Sequence, residues 1–250
     1  DAARHLPDGT RRRAERLVEG VVRAGVSKYN LERAAVALPE TTDGPGPDPA
    51  TRRRILVPGQ VEDDASIRLG AGEVATNLDL LKAARKANPT AFIVYKPHPD
   101  VEAGLRAGAV AGEETARLAD LVAEEADPLA LIEAVDEVWT MTSLLGFEAL
   151  LRGKSVTCLG APFYAGWGLT RDRGPVPARR QARPDLIALA HAALIDYPRY
   201  FDPVTGQPCP PEVAVDRLVS GITPRTGPLA RLLAKAQGLF AGHAWIWRRG

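Results

Sequence analysis

Four short apolar runs recur along the chain: Ile55-Leu56-Val57, Ala91 to Tyr95, Glu137 to Met141 and Ser155 to Leu159. Helical stretches fill the gaps. Leu78 to Lys86 reads as a helix with Asn77 as its cap and Asn88-Pro89 as its stop. Asp127-Pro128 opens another helix through Ala134, with aspartate as cap and proline at the first helical position. Leu145 to Leu151 is a third, while Asp120 to Glu124 reads equally well as a strand or a helix end. Strands alternating with helices through short links predict a parallel, doubly wound α/β sheet.

The flanks differ from this centre. Thr10 to Ala24 is amphipathic, with Ala14, Leu17, Val18, Val21 and Val22 on one face. Pro39 to Ala50 lacks periodicity and reads as a linker. From Arg183 onward the pattern is helical only, over Leu186 to Ile195, Glu212 to Ile222 and Leu229 to Phe240. The expected organisation is an N-terminal helix and linker (1–50), an α/β domain (51–175) and a C-terminal helical segment (176–250).

Composition removes several classes of function. Thirty-two basic residues against thirty-one acidic ones give a net charge of +1, so no global electrostatic case exists for nucleic acid. Cys158 and Cys209 are too few for a disulfide framework, which points to the cytoplasm. The four histidines never fall at paired ligand spacing, so neither a metal nor another cofactor is expected. The sequence has no GxxxxGKS, GxSxG or GxGxxG motif. The chain begins at Asp1 and its only methionine is Met141, which suggests a piece of a longer protein.

Ligands of open parallel sheets bind beyond the carboxyl ends of the strands, and three polar clusters follow strand ends here. The first is Gly59-Gln60-Val61-Glu62-Asp63-Asp64-Ala65-Ser66. Its three consecutive acids must be solvated, metal-bound or catalytic, and the plainer reading is a solvated loop in which one aspartate caps the following helix. The second is Lys96-Pro97-His98-Pro99-Asp100, where two prolines fix the backbone around His98 and Lys96 adds a charge for an anion. A rigid exposed turn is the plainer alternative. The third, Thr140 to Leu150, places Thr142 and Ser143 at a helix start as an anion cradle. Glu148, one turn on, can accept from ribose hydroxyls or form a helix salt bridge with Arg152.

In this order the clusters resemble a known family. VPGQVEDDAS (57–66), YKPHPD (95–100) and TMTSLLGFEALLRGKSVTCLGAPFYAGWGLT (140–170), with SKYN at 27–30, are similar to the bacterial capsule polysaccharide biosynthesis β-Kdo transferases. The resemblance implies the Rossmann-like nucleotide-binding half of a GT-B-type glycosyltransferase that needs no metal and uses CMP-Kdo as donor. It puts the nucleotide contact on His98-Pro99, the phosphate cradle on Thr142 and Ser143, the ribose acceptor on Glu148 and the catalytic aspartate of a QVxxD motif on Asp64. Gln60 and Lys96 join the candidate binding set. The implied acceptor is a lipid-linked glycan of the phosphatidylglycerol type, and capsule assembly and export machinery are implied partners.

A β-linked donor giving a β-linked product is net retention, most simply by attack of the Asp64 carboxylate on the sugar. Family members also draw a second carboxylate from an N-terminal domain, whereas 63 residues precede Asp64 here. Two alternatives follow: a nucleotide-sugar-binding module without catalysis, and a nucleotide-sugar epimerase on the same scaffold. Leu229 to Arg249 mixes Phe240, Trp245 and Trp247 with basic residues, which predicts a peripheral association with the inner membrane.

Overall fold

Every one of the apolar runs becomes a strand in the computed structural model, which describes residues 5–27 and 52–222. They are β1 (Arg54–Pro58), β2 (Phe92–Lys96), β4 (Glu137–Thr140) and β5 (Ser155–Cys158), joined by two-residue edge strands β3 (Leu121–Val122) and β6 (Arg171–Asp172). All pairings are parallel and the spatial order is β3-β2-β1-β4-β5-β6. That is the order of the dinucleotide-binding fold, and its direction reverses between β1 and β4.

The strands read as continuous apolar runs because both faces of the sheet are covered. Successive side chains point to opposite sides. Leu56, Val94, Val138 and Val156 therefore enter one core, while Ile55, Val57, Ile93, Tyr95 and Trp139 enter the other. The first core is closed by α6 (Pro128–Ala134), α7 (Leu144–Leu151), α8 (Leu186–His191) and α1 (Asp8–Ala24), through residues such as Leu131, Phe147, Leu189 and Val18. Ile67, Leu80 and Leu81 of α2 (Ala65–Gly70) and α3 (Asn77–Ala87) close the second, and α5 (Gly112–Leu118) adds Leu118.

The described residues fall into two compact units that divide between Pro198 and Arg199. The first holds α1 and α8 together with the sheet, with Arg11 paired to Asp185. Asp127 caps α6 as expected, accepting from the Leu129 N–H. The ambiguous Asp120–Glu124 segment resolves into β3, anchored by Asp120, which accepts from the Ile93 N–H and pairs with Arg52 and Arg85. Burial would raise the Asp120 pKa, but these donors outweigh it and hold the carboxyl below its usual range.

The cap expected at Asn77 is instead Thr76, whose side chain accepts from the Asp79 N–H. Asn77 is taken inward for another purpose, described below. In the second unit the expected all-helical pattern also needs correction. An antiparallel hairpin of β7 (Tyr200–Phe201) and β8 (Pro208–Cys209) precedes α9 (Pro211–Val219). Two-residue strands are too short to leave a period in the sequence. Arg217 of α9 holds Asp202 in two hydrogen bonds of 2.9 Å, which lowers the Asp202 carboxyl to about 2. The expected linker, the SKYN segment beyond Ser27 and the helix over 229–240 lie outside the described residues, as does the C-terminal segment read as membrane-associated. Among the described residues no helix is long and apolar enough to cross a membrane.

Candidate functional site

The first turn after β1 is built around Gln60. Its buried side-chain amide reaches across to the end of β4: Oε1 accepts from Thr140 Oγ1 (3.1 Å) and the Thr142 N–H (3.0 Å), while Nε2 donates to Thr142 Oγ1 (2.9 Å). Its backbone is held by fully buried Asn77, which accepts from the Gln60 N–H and donates to the carbonyls of Gln60 and Gly108, each at 2.8 Å. Gln60 therefore positions the two loops at the point where the sheet order reverses. Both ends of its amide are engaged in doing so.

The three acids that follow separate to different tasks. Glu62 accepts from the Asn77 N–H at the start of α3 (2.7 Å), and Asp63 pairs with Arg106 (3.0 Å). Asp64 caps α2, its Oδ1 accepting from the Ser66 N–H at 2.8 Å. The capping alternative is thus realised, and Asp64 also lines the cavity beside it.

His98 follows β2 and caps α4 (Pro99–Glu102), its Nδ1 accepting from the Asp100 N–H at 3.2 Å. A neutral ring that accepts at Nδ1 carries its proton on Nε2. Its loop lies against Gly59, where a Cβ would stand 2.9 Å from the Tyr95 hydroxyl and 3.2 Å from Pro97 Cα. Glycine is needed there for close approach. Burial, with Glu62 and Glu102 nearby, raises the Tyr95 pKa, so that hydroxyl stays neutral.

At the third cluster Ser143 caps α7, its Oγ accepting from the Leu145 N–H (3.2 Å). The Ser143 N–H donates to Thr140 Oγ1 and the Gly146 N–H to the Ser143 carbonyl. With Thr142 N–H held by Gln60, the cradle is narrower than the sequence suggests. It offers the remaining Ser143 hydroxyl proton and the helix dipole. Thr142 Oγ1 lies 3.3 Å from Ser66 Oγ. Glu148 is buried, and Arg152 donates to its backbone carbonyl oxygen at 3.0 Å.

Behind this turn stands Tyr164, fully buried, donating its hydroxyl to the Ser143 carbonyl. Burial pushes its pKa well up, which keeps it a donor. A methyl group at Gly146 would overlap that hydroxyl and stand 2.7 Å from Tyr164 Cζ. In Gly146→Ala the helix gains about 1 kcal/mol of propensity, but overpacking against a ring with no room to move costs about 1–3 kcal/mol. The expected result in a urea titration is net destabilisation of up to about 2 kcal/mol; a higher midpoint contradicts it.

These loops enclose a cavity of about 410 Å³ at the switch point. Of the eight expected site residues it gathers six: Gln60, Asp64, His98, Thr142, Ser143 and Glu148. Lys96 and Pro99 line another cavity, of about 500 Å³, with Glu124 and Glu125. The buried Lys96 ammonium pairs there with Glu102 at 3.1 Å, so the cation expected beside Asp64 and His98 is not Lys96. Arg106 occupies that place, in a loop that no strand-end motif marks. Ser66 and Asp100 also line the site.

A parallel sheet of this order, with a polar cavity where the order reverses, defines an α/β domain of the Rossmann type that takes its ligand at the carboxyl edge. The chain belongs to the family described as capsule polysaccharide biosynthesis protein, which it matches over residues 7–200. It is 50% identical over 194 residues to the capsule polysaccharide modification protein LipA of Neisseria meningitidis serogroup B, covering 78% of this chain and 26% of LipA. The lipopolysaccharide-processing protein LpsZ of Rhizobium meliloti is 46% identical over 188 residues, 75% of this chain and 41% of LpsZ.

Two solved structures of Thermosulfurimonas dismutans KpsC are similar. The β-Kdo 2,7 transferase aligns with a TM-score of 0.71 at 40% identity, over 89% of this chain and 64% of that one. The β-Kdo 2,4 transferase aligns at 0.72 and 34%, over 86% and 64%. The family and the α/β, Rossmann-like fold expected from the sequence both stand. The chain spans between a quarter and two thirds of the length of these relatives.

Proposed function

We propose that this chain carries the donor-binding half of a GT-B-type, retaining β-Kdo transferase that moves Kdo from CMP-Kdo to a lipid-linked glycan. The observation that carries this reading is the convergence of Asp64, His98, Ser143 and Glu148 on one cavity at the switch point. Kinship with capsule biosynthesis proteins and likeness to two Kdo transferases support the same chemistry. The His98 Nε2–H and the Ser143 hydroxyl donate to the phosphate, and Glu148 accepts from the ribose. Asp64 attacks the anomeric carbon as the carbon–oxygen bond to CMP breaks. His98 stabilises the charge gathering on the departing phosphate. The acceptor hydroxyl then displaces the carboxylate, passing its proton to the second carboxylate that family members draw from an N-terminal domain, which gives retention. A phosphatidylglycerol-type acceptor, export machinery as partner and a cytoplasmic site at the inner membrane belong to this proposal.

Calorimetric titration with CMP tests the nucleotide site. His98→Ala should weaken binding by about 1.5–3 kcal/mol, the range for a hydrogen bond to a charged group. Equal affinity in the folded variant removes His98 from the site. A second reading, a nucleotide-sugar-binding module without turnover, draws on the capping bond that occupies Asp64 Oδ1. The two part on whether Asp64 is needed for transfer or only for the fold.

A further inference from the structure

Among the described residues that line the donor cavity, Arg106 is the only lysine or arginine, beside the carboxyl groups of Asp64, Asp100 and Glu148. Its placement is fixed by its neighbours. Its N–H donates to the Asp100 carbonyl on the His98 turn, and the next residue's carbonyl accepts from the Glu62 N–H. The loop thus bridges the histidine turn to the acidic loop. Its guanidinium, however, is committed only lightly: Nε and one terminal nitrogen both donate to the same oxygen, Asp63 Oδ1, at 3.2 and 3.0 Å. Both side chains are substantially exposed, at 37% and 59%. An exposed pair of this kind is weak and readily exchanged for another anion.

The proposed donor brings two anions into a cavity rimmed with carboxylates. One is the phosphate, which the Ser143 and His98 side meets. The other is the carboxylate of the sugar acid, bonded to the same anomeric carbon that Asp64 must reach. Arg106 and Asp64 line the same cavity, so the guanidinium faces the space that the attacking residue must reach into.

We propose that Arg106 recognises the carboxylate of the sugar acid, exchanging its ion pair with Asp63 for a forked pair with the ligand. This rests on the donor reading above and adds to it the residue that separates an acidic sugar from a neutral one. Asp63 acts as a placeholder that keeps the guanidinium aimed while the cavity is empty of donor. A planar fork matches a carboxylate in a way that a lysine does not.

The test is titration of the 250-residue chain, Arg106→Gln and Asp63→Asn with CMP and, separately, with CMP-Kdo. Wild type should bind CMP-Kdo more tightly than CMP. Arg106→Gln should keep CMP affinity within about twofold and lose about 10- to 100-fold for CMP-Kdo, the loss of a charged hydrogen-bonded pair. Asp63→Asn frees the guanidinium and should raise CMP-Kdo affinity about two- to threefold without changing CMP. Equal loss for both ligands in Arg106→Gln assigns the residue to the phosphate and overturns the proposal alone, as does no loss for either. Should Arg106→Gln fail to fold, Asp63→Asn decides: unchanged CMP-Kdo affinity overturns it. Wild type that binds no CMP overturns the donor reading itself.

Discussion

Asp64→Asn in the full-length enzyme should lose Kdo transfer by about 10³-fold or more, as loss of a nucleophile does, while CMP affinity and thermal stability stay near wild type. Stability is expected to survive because asparagine caps a helix about as well as aspartate, and its Oδ1 can keep the bond that Ser66 N–H makes to Asp64. What asparagine cannot do is attack the anomeric carbon. Asp63→Asn should be far milder, since Asp63 is turned to Arg106 rather than into a capping bond at the cavity. With acceptor withheld, mass spectrometry should find a Kdo adduct on the peptide containing Asp64 in wild type and none in Asp64→Asn. Full transfer by Asp64→Asn would sink the mechanism, leaving the nucleotide site to stand on the His98 result.

The largest expected loss of stability falls on Asn77→Ala. Asn77 is fully buried, and its side chain serves three backbone groups, the Gln60 N–H and the carbonyls of Gln60 and Gly108. Truncation leaves all three buried without that partner, at about 1–3 kcal/mol each in isolation. Allowing for relaxation and water entry, about 3–5 kcal/mol is expected, beyond the ordinary range for a point substitution. For a chain of this size that lowers Tm by about 6–20 °C. Gln60 would lose its anchor as well, and with it the register of the Thr142 turn, so CMP affinity should fall too. A melting temperature within about 2 °C of wild type would show that the network is dispensable.

Much of the fold was legible because it is local or periodic. Four runs with apolar side chains on both faces can only be buried strands, and Asp127-Pro128 announces a helix start by chemistry confined to one turn. The same holds for Ser143 as a cap and for His98 between prolines, whose backbone is fixed by its neighbours. Where the sequence misled, the deciding contact was distant. Asn77 has the composition of a cap, but Thr76 can take the Asp79 N–H from one residue earlier, and that releases Asn77 to bond Gly108, 31 positions away. Lys96 has the composition of an anion site, but a strand's alternation sends it to Glu102 and the second cavity.

By itself, then, the sequence determined a parallel α/β sheet, the loops at its carboxyl edge and the residue types that the proposed anionic donor requires there. Only the tertiary structure decided which of them meet. Side-chain spacing along a strand fixes a face, and chain order fixes a loop, but neither fixes the partner across the sheet. That partner is set by strand order: placing β4 beside β1 joins Gln60 to Thr140 and Thr142, 80 and 82 residues away, and opens the cavity between them. Arg106 enters by a separate closure, its N–H bonded to Asp100 within its own turn and the carbonyl of neighbouring Ala107 tied to the distant Glu62 N–H.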